Sequence, residues 1–198
     1  MHSRTREVLE HLNTYHAELI DAVDGVPVAL RDREPAEGRW SVAGVLEHLA
    51  IVNESIATRL STALSLAREA GLAPEGEESS ILDRLDIASI VDRGRPRTAS
   101  EGSQPKGNVG SSGALAHYER SHSQVCKLVE EYDGLAIGDV HAPHPVFGAL
   151  DMYQWLLFVG AHEGRHADQI REIGKALRGQ ESGQASGQDS GRAGATTS

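Results

Sequence analysis

The sequence predicts an all-α protein that folds as a four-helix bundle. Four stretches of the chain repeat apolar residues at steps of three and four, which is the period of a helix with one buried face. No stretch alternates apolar and polar residues as a half-buried strand does. A chain of 198 residues with 39% hydrophobic content buries one good core, so we expect a single bundle domain over residues 1–178.

The first two predicted helices each carry one long apolar stripe. The first spans residues Ser3 to Asp24, and the second begins after Ser41, a favourable N-cap residue, and reaches about Ala70. We expect both stripes to face the core. They consist of Val8, Leu12, Tyr15, Leu19 and Val23 in the first helix, and of Val45, Leu49, Val52, Ile56, Leu60 and Leu64 in the second.

The other two predicted helices lie in the second half of the chain. The third spans about Ser112 to Tyr132, and the fourth begins at Asp151 and reaches about Leu177. Asp151 and Gln154 have the spacing of a capping box, in which each side chain accepts a hydrogen bond from the other residue's backbone N–H. This pair therefore indicates where the fourth helix starts.

The segments outside the helices differ in what they predict. Residues 71–110 are rich in Gly, Ser, Pro and charge, and they are too many for a tight turn, so we expect a long crossover connection between helices two and three. It should cross over one end of the bundle, with "ILDRLDIASIV" as a short helix of its own. Residues 179–198 contain only Ala and Gly as apolar residues, which predicts a disordered tail without a catalytic role.

Composition limits the partners and the location of the protein. Lysine and arginine total 19 against 29 acidic residues, a net charge of -10, which disfavours binding to nucleic acid. No apolar run is long enough for a signal peptide or a membrane span, so we expect no membrane partner and a cytoplasmic location. Cys126 is the only cysteine, which excludes an intramolecular disulfide and predicts a small buried hydrophobe rather than a catalytic thiol.

The fourth helix contains a histidine motif that suggests metal binding. His162 and His166 are four residues apart and replace apolar residues on its core stripe, so both imidazoles lie one turn apart on the same face. With Glu163 between them, the stretch is literally H-E-x-x-H, which occurs in zinc proteases and in other helical metal sites. Two core histidines bonded to their neighbours are the alternative without a metal.

A third ligand is available on the second helix. His48 lies three residues after Val45 and four before Val52, at the edge of the core stripe. Three histidines from two facing helices leave coordination positions open, as catalytic zinc sites do. His122 also lies on a core stripe, and we expect it to hold another group by a hydrogen bond or to be a satisfied core residue rather than a fourth ligand.

Two blocks of the chain together resemble a known family. "RWSVAGVLEHLAIVNE" and the later "HPVFGALDMYQWLLFVGAHEGRHADQIREI" are similar to the DinB-like superfamily of metal-binding four-helix bundles. In that family a W-S-x-x-x-x-x-x-H-L block joins an H-x-x-x-H pair on the last helix, and the matching positions are His48, His162 and His166. The resemblance covers most of residues 5–175.

The resemblance implies a cofactor and a range of activities. It implies a divalent ion, zinc or nickel, a small-molecule substrate and a homodimer. Characterised relatives include bacillithiol transferases and the mycothiol-dependent maleylpyruvate isomerase, so we expect a transferase or isomerase that uses a low-molecular-weight thiol as cofactor. A metal-dependent hydrolase is the second hypothesis, and a non-catalytic metal-binding stress-response module is the third.

The protease interpretation of H-E-x-x-H fails on spacing. Gln169 and Glu172 stand where a third protease ligand would follow, and no histidine comes later. Glu163 remains a candidate base or a hydrogen-bond partner beside the metal, or else a solvated or structural glutamate. His144 is a candidate for the cavity mouth or for stabilising a turn, and Arg165 is expected to form a surface ion pair.

Overall fold

The computed structural model describes residues 1–94 and 98–190, with the backbone alone described for 183–190. Four long helices form the bundle, as the hydrophobic period predicts, and a fifth helix is short. The helices are α1 (Ser3–Asp24), α2 (Val42–Glu69), α3 (Ile87–Val91), α4 (Ser111–Glu131) and α5 (Met152–Ser190). The predicted N-cap of α2 is confirmed, because the Ser41 hydroxyl accepts a hydrogen bond from the Gly44 N–H at 3.1 Å.

Contacts at one end of the bundle establish the direction of each helix. Arg4, in the first turn of α1, pairs with Glu75, which follows α2, at 3.2 Å. The Tyr153 hydroxyl, at the start of α5, donates to the same carboxylate at 2.8 Å. The backbone N–H of His2 donates to Asp133, which follows α4, at 2.8 Å. Therefore α1 and α5 are parallel to each other, and α2 and α4 run antiparallel to them. The closest packing is between α1 and α5 and between α2 and α4.

The crossover connection runs along the length of the bundle, so the prediction that it crosses over one end is wrong. It leaves α2 beside Glu75 and reaches the opposite end, where Ser111 donates to Asp32 at 2.7 Å. Because α2 and α4 are parallel, the chain must return over the whole length of the bundle between them. On the way it forms α3, inside the stretch predicted to be helical, and α3 packs against α5.

A short β-hairpin precedes α5, where the sequence indicated no strand. Strands β1 (His141–His144) and β2 (Gly148–Asp151) pair antiparallel, with His144 opposite Gly148. Each strand has only four residues, too few for alternation to stand out in the sequence. The capping box is confirmed, since Asp151 and Gln154 exchange two hydrogen bonds of 2.9 Å between side chain and backbone.

The last helix continues past its predicted end near Leu177. It extends to Ser190, and the Gln180 side chain accepts a hydrogen bond from Arg33 at 3.0 Å and donates to the Pro35 carbonyl at 2.7 Å. The first residues of the predicted tail are therefore helical. Residues 191–198 of that tail lie outside the described residues.

The buried interior divides into two apolar clusters along the bundle. One includes Leu12, Ile56, Val125 and Val159, and the other includes Leu19, Leu49, Tyr118 and Ala167. Between these levels, the four long helices contribute His16, Asn53, His122 and Glu163 to one connected group of polar side chains. A polar layer thus crosses the middle of the molecule. Among the described residues, no helix combines the length and apolar character that crossing a membrane requires.

Candidate metal centre

The three histidines singled out in the sequence lie together. The ligating ring nitrogens of His48, His162 and His166 are all within 4.8 Å of one another, and the Nε2 atoms of the two on α5 are 3.1 Å apart. Two nitrogens bound to one zinc at about 2.0 to 2.1 Å in tetrahedral geometry are roughly 3.3 Å apart. Among the described residues, no other His, Cys, Asp or Glu joins this group. The donor set therefore fits a divalent metal ion with open coordination positions.

Hydrogen bonds select the tautomer of two of these rings. The Nδ1 of His48 lies 2.7 Å from the backbone carbonyl oxygen of Ser103, in the crossover connection. The Nδ1 of His166 lies 2.8 Å from the Gln169 side-chain oxygen. Since an oxygen of this kind only accepts, each Nδ1 carries the proton and each Nε2 presents its lone pair. Such outer hydrogen bonds also set the orientation of metal-binding imidazoles.

Burial keeps the three imidazoles neutral. Loss of solvent, together with the nearby His48, lowers the pKa of His166 to about 3. Burial and the proximity of His166 and His48 hold the pKa of His162 well below its usual value. Burial also lowers the pKa of His48, although its bond to the Ser103 carbonyl opposes this effect. Because a metal binds the neutral ring, the group is ready to bind at neutral pH.

Aromatic rings and the crossover connection enclose this group. The Trp40 ring lies 4.9 Å from that of His48, and the Phe158 ring stacks on His162 at 5.3 Å. On the other side, Arg93 forms two hydrogen bonds with Glu172, of 2.8 and 2.7 Å. These contacts attach the crossover to α5 beside the histidines, so the site has an apolar wall and a polar wall.

Glu163 does not face the three histidines. Its side chain is 0% exposed, and Oε1 accepts hydrogen bonds from Asn53 at 3.0 Å and from His122 at 3.2 Å. The prediction of a solvated glutamate is therefore wrong, whereas the structural alternative agrees with these contacts. The carboxylate belongs to the polar layer, about 100° further round α5 than His162.

His122 is the satisfied core residue that the sequence suggested. Its ring lies between two polar groups, with Nδ1 against Glu163 and Nε2 3.4 Å from the Cys126 sulfur. Burial by itself lowers the pKa of His122. Hydrogen bonds and electrostatic interactions with Cys126 and Glu163 together outweigh burial and raise that pKa to about 10. Cys126 is half-buried and contacts a polar ring, so it is more than the small hydrophobe that the sequence indicated.

Two other sequence predictions have definite outcomes. His144 stabilises the turn of the hairpin, because its Nδ1 accepts the backbone N–H groups of Val146 and Phe147 at 3.1 and 3.2 Å. Arg165 is not a surface residue. It is only 7% exposed, and its guanidinium donates to the carbonyl oxygens of Ile90 and Asp92 in the crossover.

Sequence reasoning missed several residues of the site and the polar layer. His16 and Asn53 both occupy apolar stripes, four residues after a core leucine and three before another core residue, so their polarity was a usable signal. Gln169 lies one turn from His166, at a spacing that allows a hydrogen bond. The contact of Ser103 with His48 uses a backbone carbonyl, which every residue has, so the residue type could not predict it.

A surface groove lies elsewhere on the molecule. It has a volume of about 740 Å³ and is lined by α2 residues between Ile51 and Leu66 and by β1 residues between His141 and Pro143. None of the three clustered histidines lines it. The histidines present a set of nitrogen atoms specific for a metal ion, whereas the groove is open to solvent.

Comparisons with known proteins agree with this architecture. The sequence pattern of the DinB superfamily matches residues 7–170. The uncharacterized protein YuaE of Bacillus subtilis (strain 168) is 26% identical over 166 residues, which are 81% of this chain and 93% of YuaE. The crystal structure of TT2238, a four-helix bundle protein, matches with a TM-score of 0.55 and 20% identity over 85% of this chain and 98% of TT2238.

These findings define the class of the molecule as a helical bundle with a histidine cluster between two helices. The chain belongs to the DinB superfamily, whose matching region contains His48, His162 and His166. The superfamily is generally metal-binding, and side chains able to hold a metal are present here. The likeness to TT2238 establishes the fold alone.

Proposed function

We propose that this protein is a metal-dependent enzyme that uses a low-molecular-weight thiol on a small electrophilic substrate. The observation that carries the proposal is the convergence of three neutral imidazoles, with no fourth His, Cys, Asp or Glu joining them among the described residues. A metal with three protein ligands keeps positions for exogenous ligands, whereas structural zinc sites are closed by four. A non-catalytic metal module would not need such open positions.

His48, His162 and His166 would hold zinc or nickel. When bound, such an ion stabilises the thiolate form of a sulfur ligand at neutral pH, which makes that sulfur a nucleophile. The Ser103 carbonyl and Gln169 keep two of the rings in the binding tautomer. Phe158, stacked on His162, provides an apolar surface against which a small substrate can lie.

An external thiol agrees with the position of the only cysteine. Cys126 contacts His122 in the polar layer, on α4, and is not part of the three-histidine group. The reacting sulfur would therefore come from a cofactor. As a transferase, the protein would join the thiol sulfur to a substrate carbon, and the group displaced from that carbon would leave with the proton lost by the thiol. As an isomerase, it would return the thiol after rearrangement of the substrate.

The hydrolase hypothesis needs a base beside the metal. In H-E-x-x-H proteases the glutamate takes the proton of the attacking water. Glu163 is fully buried and bonded to Asn53 and His122 instead. This arrangement favours thiol transfer over hydrolysis as the reaction of the three-histidine group.

Metal analysis and a thiol screen test the proposal together. Replacing His48, His162 or His166 by alanine should lower the metal content by one ion per chain, because two imidazoles hold a metal much more weakly than three. His117→Ala is the control, since this half-exposed histidine pairs with Glu54 outside the group. Purified protein is then assayed with electrophilic substrates, with and without each low-molecular-weight thiol.

The outcomes of the assay separate the hypotheses. Turnover that requires both the thiol and His166 supports the proposal. Turnover without any thiol would favour the hydrolase hypothesis, and a metal-loaded protein inactive with every thiol would favour the non-catalytic one. We further propose that the protein acts in the cytoplasm and that it forms a homodimer. Light scattering tests the homodimer, which should have twice the mass of one chain.

A further inference from the structure

A second group of potential metal ligands lies in the polar layer. His16 on α1, His122 on α4 and Glu163 on α5 place one ligating atom each within 4.8 Å of one another. Glu163 directly follows His162 in the chain, so α5 separates this group from the three histidines described above. The two groups share no residue.

Glu163 has an unsatisfied oxygen in this group. Its Oε1 accepts two hydrogen bonds, whereas its buried Oε2 accepts none of normal geometry, although the Tyr118 hydroxyl interacts with this carboxylate. A buried carboxylate oxygen without a partner is costly, because it has lost its water and gained nothing in return. Pairing with a protonated His122 balances the charge but leaves Oε2 unsatisfied. A cation held by His122 Nδ1 and by both carboxylate oxygens would take the place of the proton on Nδ1, which is released to solvent, and it would satisfy the charge and Oε2 together.

We propose that His16, His122 and Glu163 form a second site for a divalent transition metal. The Nδ1 of His122 and the Oε1 of Glu163 are 3.2 Å apart, close to the roughly 3.3 Å between two ligands of one tetrahedral zinc. Cys126 occupies the other edge of the His122 ring, at 3.4 Å from Nε2, so Nδ1 is the nitrogen that faces the carboxylate. Two imidazoles and one carboxylate suit zinc, nickel or cobalt.

Binding at this site requires His16 to turn. Its ring stacks on that of His122, with centroids 4.1 Å apart and planes 24° from parallel, and its Nδ1 lies 3.0 Å from the Tyr118 hydroxyl. A metal lies close to the plane of each imidazole that binds it, so His16 must leave the stack to share an ion with His122. His16 is half-buried, whereas the other two ligands are buried, so its movement also provides the path by which an ion enters.

Zinc titration of the full chain tests this site. Metal-free protein is titrated with Zn²⁺ in a calorimeter, and bound zinc is counted after gel filtration. We expect two ions per chain for the wild type and one for His48→Ala/His166→Ala, which keeps the second group whole. Glu163→Gln should bind one ion, because the amide preserves the side-chain shape but is a poor metal ligand.

Two further variants separate ligation from folding. His16→Ala should bind one ion and keep the melting temperature of the metal-free protein, because His16 is at the half-buried edge of the layer. His117→Gln is the matched control, since His117 also lies on α4 and pairs with a carboxylate, Glu54, at 2.7 Å. It should bind two ions.

The proposal is overturned if the wild type binds one ion, if His48→Ala/His166→Ala binds none, or if either Glu163→Gln or His16→Ala still binds two. A buried ion pair between His122 and Glu163, without any metal, would then account for the group. Zinc counting is independent of turnover, so a failure of the thiol hypothesis leaves this test unaffected.

Discussion

Gln169→Ala should weaken metal binding although Gln169 is not itself expected to bind the metal. Its side-chain oxygen accepts the Nδ1–H of His166 at 2.8 Å, and the Arg93 guanidinium donates to the same oxygen at 3.5 Å. Alanine removes the only hydrogen-bond acceptor that this Nδ1–H contacts among the described residues. The buried ring then loses both its preferred orientation and its preferred tautomer.

The size of the effect follows from that single contact. Loss of a partner that orients a metal-binding histidine typically lowers metal affinity by about 10- to 100-fold, or roughly 1.4 to 2.7 kcal/mol. We expect Gln169→Ala to fall in this range at the three-histidine site. Gln169→Glu should restore or exceed wild-type affinity, because a carboxylate is a stronger acceptor and gains an ion pair with Arg93.

Competition with a chromophoric zinc chelator measures these affinities. The measurements are made in the Glu163→Gln background, so that only the three-histidine group contributes. Gln180→Ala is the matched control, because Gln180 lies on the same helix and its hydrogen bonds are to Arg33 and Pro35. Equal affinities for Gln169→Ala and Gln180→Ala would refute the role assigned to the Gln169 side chain.

Three other predictions concern stability. In metal-free protein, the pKa of His166 is about 3 in the folded state and 6.5 in the unfolded state. As the pH falls below about 6.5, only the unfolded state takes up the proton, so the free energy of unfolding decreases. Protonation of His166 in the unfolded state lowers the free energy of unfolding by about 1.4 kcal/mol between pH 7.5 and 5.5. In urea unfolding, the free energy of unfolding of His166→Ala should therefore depend less steeply on pH than that of the wild type. Gly164→Ala places a Cβ 2.5 Å from the Tyr15 ring and should reduce the free energy of unfolding by roughly 1 to 2 kcal/mol, whereas an unchanged denaturation midpoint would show that the ring moves away freely. Truncation after Arg178 removes the exposed Gln180 contacts and should change the melting temperature only slightly, with the metal content unaltered.

The helices and the three-histidine group were predictable from the sequence for a local reason. Side chains three or four residues apart lie on one face of a helix whatever surrounds it, so apolar period and histidine spacing carry over directly into the structure. The capping box at Asp151 and the N-cap at Ser41 are also local, and both are confirmed. That His48 meets His162 and His166 depends on helix pairing, which the DinB-like motifs implied.

Only the tertiary structure decided how residues at the border of a helix face are used. Glu163 and Arg165 flank the core stripe of α5, and sequence position alone allowed either of them to face solvent. Packing of α4 and α2 buries Glu163 against His122 and Asn53. The crossover connection covers Arg165 and accepts its hydrogen bonds through backbone carbonyl oxygens. The Ser103 carbonyl that orients His48 comes from 55 residues away along the chain. Such contacts depend on the path of the backbone, which local periodicity does not encode.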